Sequence, residues 1–164
     1  MYKFVVGFNR LYYFLLALCV SPVIGWAAVV PVNINVTVVA VPCVINDDKP
    51  IEVDFGNVLT TRVDGVNYRM PVNYTLSCPG GEDKALKLQV QGAPAAFDGK
   101  SLQTSVTALG IELQQGSHAI SVNDWVNFTY PNKPELWVVP VKQPGATLPA
   151  GDFTAAASMK VDYQ

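Results

Sequence analysis

The sequence is poor in the side chains that most catalytic and metal sites require. It has one histidine, His118, and three cysteines among 164 residues. A Ser-His-Asp or Cys-His arrangement needs a histidine base and a zinc site needs several Cys or His ligands, so neither can be assembled convincingly. The acidic pairs 47–48 and 82–83 fall in predicted turns, where solvated charge is the ordinary interpretation. We therefore expect no catalytic residues, no metal and no cofactor.

Charge is also scarce, since only 15% of the residues are charged and the net charge is −2. Such a surface has no basic patch to attract nucleic acid. Half of the residues are hydrophobic, and Val, Thr, Asn, Gly and Pro recur throughout. This composition favours short strands and turns over helices. The length suits one domain with a core and hardly two.

The first 27 residues have the pattern of an export signal. Lys3 and Arg10 give a positive start, and residues 11–24 form an apolar run. Gly25 and Ala27 then supply small residues at both positions that a signal peptidase reads. We predict cleavage before Ala28. A membrane anchor is the alternative, but an apolar run of 14 residues is too short to cross about 30 Å of hydrocarbon as a helix. We therefore expect no membrane span in the mature chain.

The cysteines are consistent with export. Cys19 lies in the predicted leader, which leaves Cys43 and Cys78 in the mature chain. Two thiols in an oxidising compartment most simply form one disulfide. On the chain-entropy model, closing a loop of this length stabilises the fold by roughly 3–4 kcal/mol.

The mature sequence alternates between strand-like segments and turns. The period-two pattern and the turn residues predict an all-β, antiparallel sandwich in one domain. Pro71 and Pro140 fall inside strand-like segments, so we expect them at edges or bulges. Residues 92–107 have no clear pattern and are expected to be loop with a short strand. The predicted strand segments are residues 29–41, 51–55, 68–78, 85–91, 109–115, 136–141 and 153–163.

The two ends of the mature chain have complementary apolar faces. In the last segment one face carries Phe153, Ala155, Ala157, Met159, Val161 and Tyr163. Near the predicted cleavage site a second face carries Val30, Val32, Ile34, Val36 and Val38. An apolar, charge-free strand at a mature N-terminus is an aggregation hazard unless something receives it. The alternative is that it is simply the first strand of this sandwich.

Together these ends resemble the subunits of chaperone–usher pili, the family of type 1 and P pili. In that family an N-terminal extension precedes a cysteine, as residues 29–42 precede Cys43, and a second cysteine follows, as Cys78 does. The last strand carries a glycine fourteenth from the end and a penultimate tyrosine, the places of Gly151 and Tyr163. The likeness to the minor tip adaptors of P pili is greatest in residues 41–46, 53–57 and 151–159.

The resemblance implies an immunoglobulin-like β-sandwich that lacks its final strand and is completed by a donor strand from another chain. It divides the chain into a signal peptide (1–27), a donor-strand extension (28–42) and a pilin domain (43–164). The implied partners are a periplasmic chaperone, an outer-membrane usher and neighbouring pilus subunits, among which a tip adhesin is one candidate. The implied route leads through the periplasm to the bacterial cell surface.

The resemblance also implies roles for the two apolar faces. Val30, Val32, Ile34, Val36 and Val38 would form the donor strand. Gly151, Phe153, Ala155, Ala157, Met159, Val161 and Tyr163 would form the acceptor groove that also binds the chaperone. The implied function is that of a structural, non-enzymatic minor subunit, a tip or adaptor pilin that polymerises by donor-strand exchange and supports bacterial adhesion.

Several alternatives stay open at this point. Within the class these are a major rod pilin and a terminator, whereas an adhesin would need an additional receptor-binding domain. Outside it are a stand-alone secreted β-sandwich that binds carbohydrate or protein, and a small hydrolase that uses His118.

Val36 departs from the family pattern. Many family extensions have a glycine seven residues before the cysteine, and here that position is Val36. A valine adds bulk, so the receiving groove must be roomier there or the strand register must differ. We hypothesise that Val36 helps to select the partner subunit.

Overall fold

Two β-sheets face each other across one core in the computed structural model, which describes Val36 and residues 41–164. Within that part the helical pieces are two short 3-10 turns, Asn46–Asp48 and Thr60–Arg62. The strands there are β1 (Val44–Ile45), β2 (Met70–Val72), β3 (Leu76–Ser77), β4 (Ala85–Gln91), β5 (Leu102–Gln103), β6 (Leu109–Gln115), β7 (His118–Ile120), β8 (Trp125–Thr129), β9 (Leu136–Lys142) and β10 (Ser158–Tyr163). No helix among these residues is long and apolar enough to cross a membrane.

The strands pair antiparallel throughout the described part. One sheet has the order β10-β4-β8, and the other has the order β2-β9-β6-β5 with β7 also paired to β6. Strands β1 and β3 form a separate two-stranded ribbon. This arrangement confirms the predicted all-β sandwich.

The core lies between the two sheets. Because side chains alternate between the faces of a strand, the central strands each send every second residue inward. The three-stranded sheet contributes Leu88 and Val90, and the five-stranded sheet contributes Ile111, Leu113, Leu136 and Val138.

The strongest sequence patterns gave accurate strands. The predicted segments 85–91 and 109–115 coincide with β4 and β6, and the segment 136–141 forms β9 with one further residue. Pro71 lies on the edge strand β2, as expected. Pro140 pairs with Ile111 on β6, and β2 reaches only as far as Val138 on the other side, so Pro140 also has a strand on one side alone.

Two predicted strands are interrupted. The segment 68–78 divides into β2 and β3, which belong to different sheets. The buried Tyr74 fixes this crossover, because its hydroxyl donates a hydrogen bond to the carbonyl of Pro134 at 2.6 Å. The segment 153–163 becomes regular only at Ser158. Before that, the backbone N–H of Ser105 donates to the carbonyl of Thr154 at 2.8 Å, which draws the chain towards the other sheet.

The prediction of a strand over residues 51–55 was wrong. Burial alternates there as it does in a strand, with Ile51, Val53 and Phe55 partly buried and Glu52 and Asp54 exposed. No described strand pairs with this segment, however. Alternation of apolar and polar residues therefore shows that one side of an extended segment faces an apolar surface. It does not show that the backbone of the segment pairs with another strand.

Candidate functional site

An open groove of about 1530 Å³ runs along the sandwich. One wall, the leading wall, is the chain from residue 41 to residue 59. The other, the closing wall, is the chain from residue 151 to residue 163. Residues from both walls line the cavity, and so do side chains from five further strands of the two sheets, β2, β4, β5, β6 and β9.

The floor of the groove is the hydrophobic core itself. Strand β4 supplies Val90, β5 supplies Leu102, and β6 supplies Ile111 and Leu113. Each of these side chains is less than a tenth exposed and belongs to the main core cluster. The groove is therefore a cleft that reaches the core rather than a shallow surface depression.

The leading wall is apolar towards the groove and acidic towards solvent. Ile51, Val53 and Phe55 pack against the core cluster. The wall turns at Asp54, whose carboxylate accepts the backbone N–H of Gly56 at 2.8 Å. Gly56 has φ of 58°, a conformation in which a side chain is strained.

The closing wall has one paired edge and one unpaired edge. Strand β10 pairs with β4 from Ser158 opposite Gln91 to Tyr163 opposite Leu86. Its other edge has no partner strand among the residues that the structure describes. Met159 and Val161 pack against the core cluster from this strand. An edge of this kind presents free backbone donors and acceptors beside an apolar floor.

The two walls run antiparallel and touch near both of their ends. The rings of Phe55 and Phe153 have centroids 6.0 Å apart at an interplanar angle of 37°. At the other end the hydroxyl of Tyr163 donates a hydrogen bond to the carbonyl of Val41 at 3.1 Å. Between these two contacts the groove is open.

A disulfide between Cys43 and Cys78 holds the leading wall, as the two thiols predicted. It joins the residue before β1 to the residue after β3, and the two Cα atoms are 4.2 Å apart. Cys78 is buried and Cys43 lines the groove. The cross-link therefore fixes the start of the leading wall to the body of the sandwich.

Most of the groove residues predicted on the C-terminal face do line the cavity. The exception is Tyr163, which instead makes the hydrogen bond to Val41. Gly151 has φ of 137°, in the region that favours glycine. The residues of the predicted set that line the groove are Gly151, Phe153, Ala155, Ala157, Met159 and Val161.

Sequence reasoning missed the leading wall and the floor. The alternation of residues 51–55 was the available signal for the wall, and it indicated an ordinary strand. Nothing local indicated the floor, because Val90, Leu102 and Ile111 meet only through sheet pairing and packing.

Of the predicted donor residues, Val30, Val32, Ile34 and Val38 lie outside the described part of the chain. Val36 is described and is 75% exposed.

The groove carries no arrangement suited to acid–base or metal chemistry within the described part of the chain. No cluster of three metal-binding side chains occurs there, and His118 is exposed on β7. Three groups with a displaced pKa lie away from the groove. Hydrogen bonds from the backbone N–H groups of Asn67 and Val66 lower the pKa of Asp64, and burial raises that of Tyr74. Burial also acts to raise the pKa of Asp98, but hydrogen bonds from Ser101 and Lys100 outweigh it and lower the value.

Comparison with known proteins identifies the class of protein that carries this groove. Residues 32–164 match the family described as Fimbrial protein. The chain therefore belongs to the fimbrial protein family, the structural subunits of chaperone–usher pili. The resemblance seen in the sequence is confirmed, and with it a non-enzymatic pilin of the cell surface with an immunoglobulin-like fold and a disulfide.

Individual relatives have similar length and shape. The uncharacterized fimbrial-like protein YfcR of Escherichia coli strain K12 is 37% identical over 99% of this chain and 95% of its own. The minor fimbrial protein PrsF of Escherichia coli is 30% identical over 82% of this chain and 87% of its own. The solved structure of the P pilus adaptor subunit PapF has a TM-score of 0.58 at 29% identity, over 78% of this chain and all of that one.

Proposed function

We propose that the groove accepts a β-strand from another chain and that residues 28–42 are the strand which this chain donates in turn. The observation that carries the proposal is the pair of walls above a floor made of core residues, since neither wall has a partner strand on its groove side within the described part of the chain. An inserted strand would pair with the free edge of β10 and cover the core in one step. Recognition by strand addition draws affinity from the backbone and specificity from alternate side chains.

A chain that accepts one strand and donates another fits the role of a minor, adaptor-type subunit of a chaperone–usher fimbria that supports bacterial adhesion. The similar proteins include a minor fimbrial protein and an adaptor subunit, and both support an adaptor role over the role of a rod subunit. A periplasmic chaperone would lend the first strand to the groove. At the outer-membrane usher, the extension of the next subunit would replace that strand. Residues 1–27 would be removed on export, and residues 43–164 would form the pilin domain.

Deletion of residues 28–40 tests the donor half of the proposal. The variant should still form a complex with the chaperone, because its own groove is intact, but it should not enter the groove of the subunit ahead of it. Polymerisation at the normal rate would contradict the donor role.

A matched pair of substitutions sharpens this test. Ile34→Asp places a charge on the apolar face of the extension and should abolish donation, since an unpaired charge is costly to bury. Asn35→Asp places the same charge on the opposite face and should leave donation nearly intact. Equal behaviour of the two variants would show that the extension does not insert as an alternating strand.

A further inference from the structure

The rim of the groove carries mainly negative charge. The charged residues lining the cavity are two lysines and four acids, and all six are exposed. One lysine, Lys160, lies on the outer side of β10, where its ammonium is 3.5 Å from the carboxylate of Asp162. The other is Lys49, which follows Asp48 in the chain. The acids are Asp48, Glu52, Asp54 and Asp152.

Two of these acids occupy the positions that matter most to an inserted strand. Glu52 and Asp54 alternate with the inward-facing Ile51, Val53 and Phe55, so both point outward along the unpaired segment. A strand placed beside this segment would alternate in the same way, with apolar side chains in the groove and the others outward. Residues directly opposite each other on one face of a sheet have Cβ atoms about 4.5–5.5 Å apart. The outward side chains of the occupant would therefore lie next to Glu52 and Asp54.

The extension of this chain cannot supply the complementary charge. Residues 28–42 contain no charged side chain, and the residues that alternate with its apolar face are Asn33, Asn35 and Thr37. A second copy of the chain would bring no opposite charge to either acid of the leading wall, although the carboxylate of Asp54 already accepts the backbone N–H of Gly56. A strand with acidic outward residues would be repelled.

We infer that the groove is built for the extension of a different pilus subunit, one with lysine or arginine at the outward-facing positions. This inference rests on the proposed function and adds the chemistry of the partner. Opposite charges across two strands stabilise the pair modestly, so two such pairs should tighten binding by about two- to thirtyfold over a neutral strand. Because the rim is exposed, the effect should weaken with salt.

Three peptides that differ only in their outward residues test the inference on the full mature chain. The first is residues 29–41 unchanged. The second carries Asn33→Lys, Asn35→Lys and Thr37→Lys, and the third carries Glu at the same positions. Binding is measured while the chain refolds in dilute solution, at about 0.01 M and about 1 M salt, where the screening length falls from about 30 Å to about 3 Å. The same series is run on a Glu52→Gln/Asp54→Asn variant.

The expected order of affinity at low salt is the lysine peptide, then the unchanged peptide, then the glutamate peptide. This order should collapse at high salt and in the Glu52→Gln/Asp54→Asn variant. If the unchanged peptide binds as tightly as the lysine peptide, a second copy is an equally good occupant and the inference is overturned. If none of the peptides binds, or if Ala157→Asp leaves binding unaltered, the proposed strand-accepting function fails and takes the inference with it.

Discussion

The hydroxyl of Tyr163 donates to the carbonyl of Val41 at 3.1 Å, and this bond joins the penultimate residue to the start of the leading wall. The rings of Phe55 and Phe153 make the corresponding contact near the other end. The two walls are thus held to each other at both ends while the stretch between them stays open. The spacing needed by an inserted strand would then be present before that strand arrives.

Charge placed on the closing wall should block occupation of the groove. Ala157 lines the cavity, so Ala157→Asp should reduce binding of a chaperone or donor peptide at least tenfold, because the carboxylate would be buried without a partner. The measurement is complex formation with the purified chaperone. Ala156→Asp is the matched control and should bind normally, since both alanines are exposed but only Ala157 lines the groove that a bound strand would cover. An equal loss of binding in both variants would show that Ala157 does not face the bound strand.

Removal of the disulfide should destabilise the fold without changing the groove chemistry. The bridge closes a loop with a sequence separation of 35 residues, so Cys43→Ser/Cys78→Ser should lower the free energy of unfolding by about 3–4 kcal/mol. Denaturant unfolding of the peptide-filled chain measures this loss. The wild-type chain in reductant should show the same loss, and a much smaller one would mean that the leading wall is held by other contacts.

Gly92 lies next to Leu102, a side chain of the groove floor. A Cβ atom at this position would clash with Cδ1 of Leu102, which is the flexible end of a floor side chain. Gly92→Ala should therefore push Leu102 into the open groove and slow strand insertion several-fold, with a stability loss of about 1 kcal/mol. Stopped-flow binding of a donor peptide measures the rate. The rate of insertion should recover in Gly92→Ala/Leu102→Ala. Failure to recover would show that Leu102 does not cause the slower insertion.

The size of Val36 should decide which grooves accept the extension of this chain. A peptide with Val36→Gly should exchange faster than the unchanged peptide into grooves that are narrow where residue 36 binds. In roomier grooves the exchange rates of the two peptides should differ little. The measurement is the exchange rate of both peptides on several purified subunits. Identical ratios across all of the subunits would remove any role for Val36 in partner choice.

The sequence predicted the parts of the fold that depend on local alternation. Strands β4 and β6 follow from an alternation that is local to the chain and strong, and the disulfide follows from two cysteines left in an oxidising compartment. Strand β8 was missed although Val126 and Phe128 alternate with Asn127 and Thr129, because a segment of five residues holds too few repeats of that alternation. The hairpin strand β7 has only three residues and little apolar content.

The groove could be predicted on one side only. The apolar face of residues 153–161 was visible because its side chains alternate even where the ladder is absent. Leu102 and Val90 meet on the floor only after the two sheets have packed, so no local pattern contains them. The segment 51–55 shows the limit most clearly, since its alternation looked like a paired strand and its backbone has no described partner.

Amide hydrogen exchange of the full mature chain, with and without a bound donor peptide of residues 29–41, tests the strand-accepting groove most directly. Occupation should slow exchange in β10 and in residues 51–55, by about a hundredfold for amides that pair with the peptide when it is present at 100 times its dissociation constant. The paired edge of β10 and strand β6 should change far less. Protection that is absent from both walls, or that is confined to a different surface, would contradict the account.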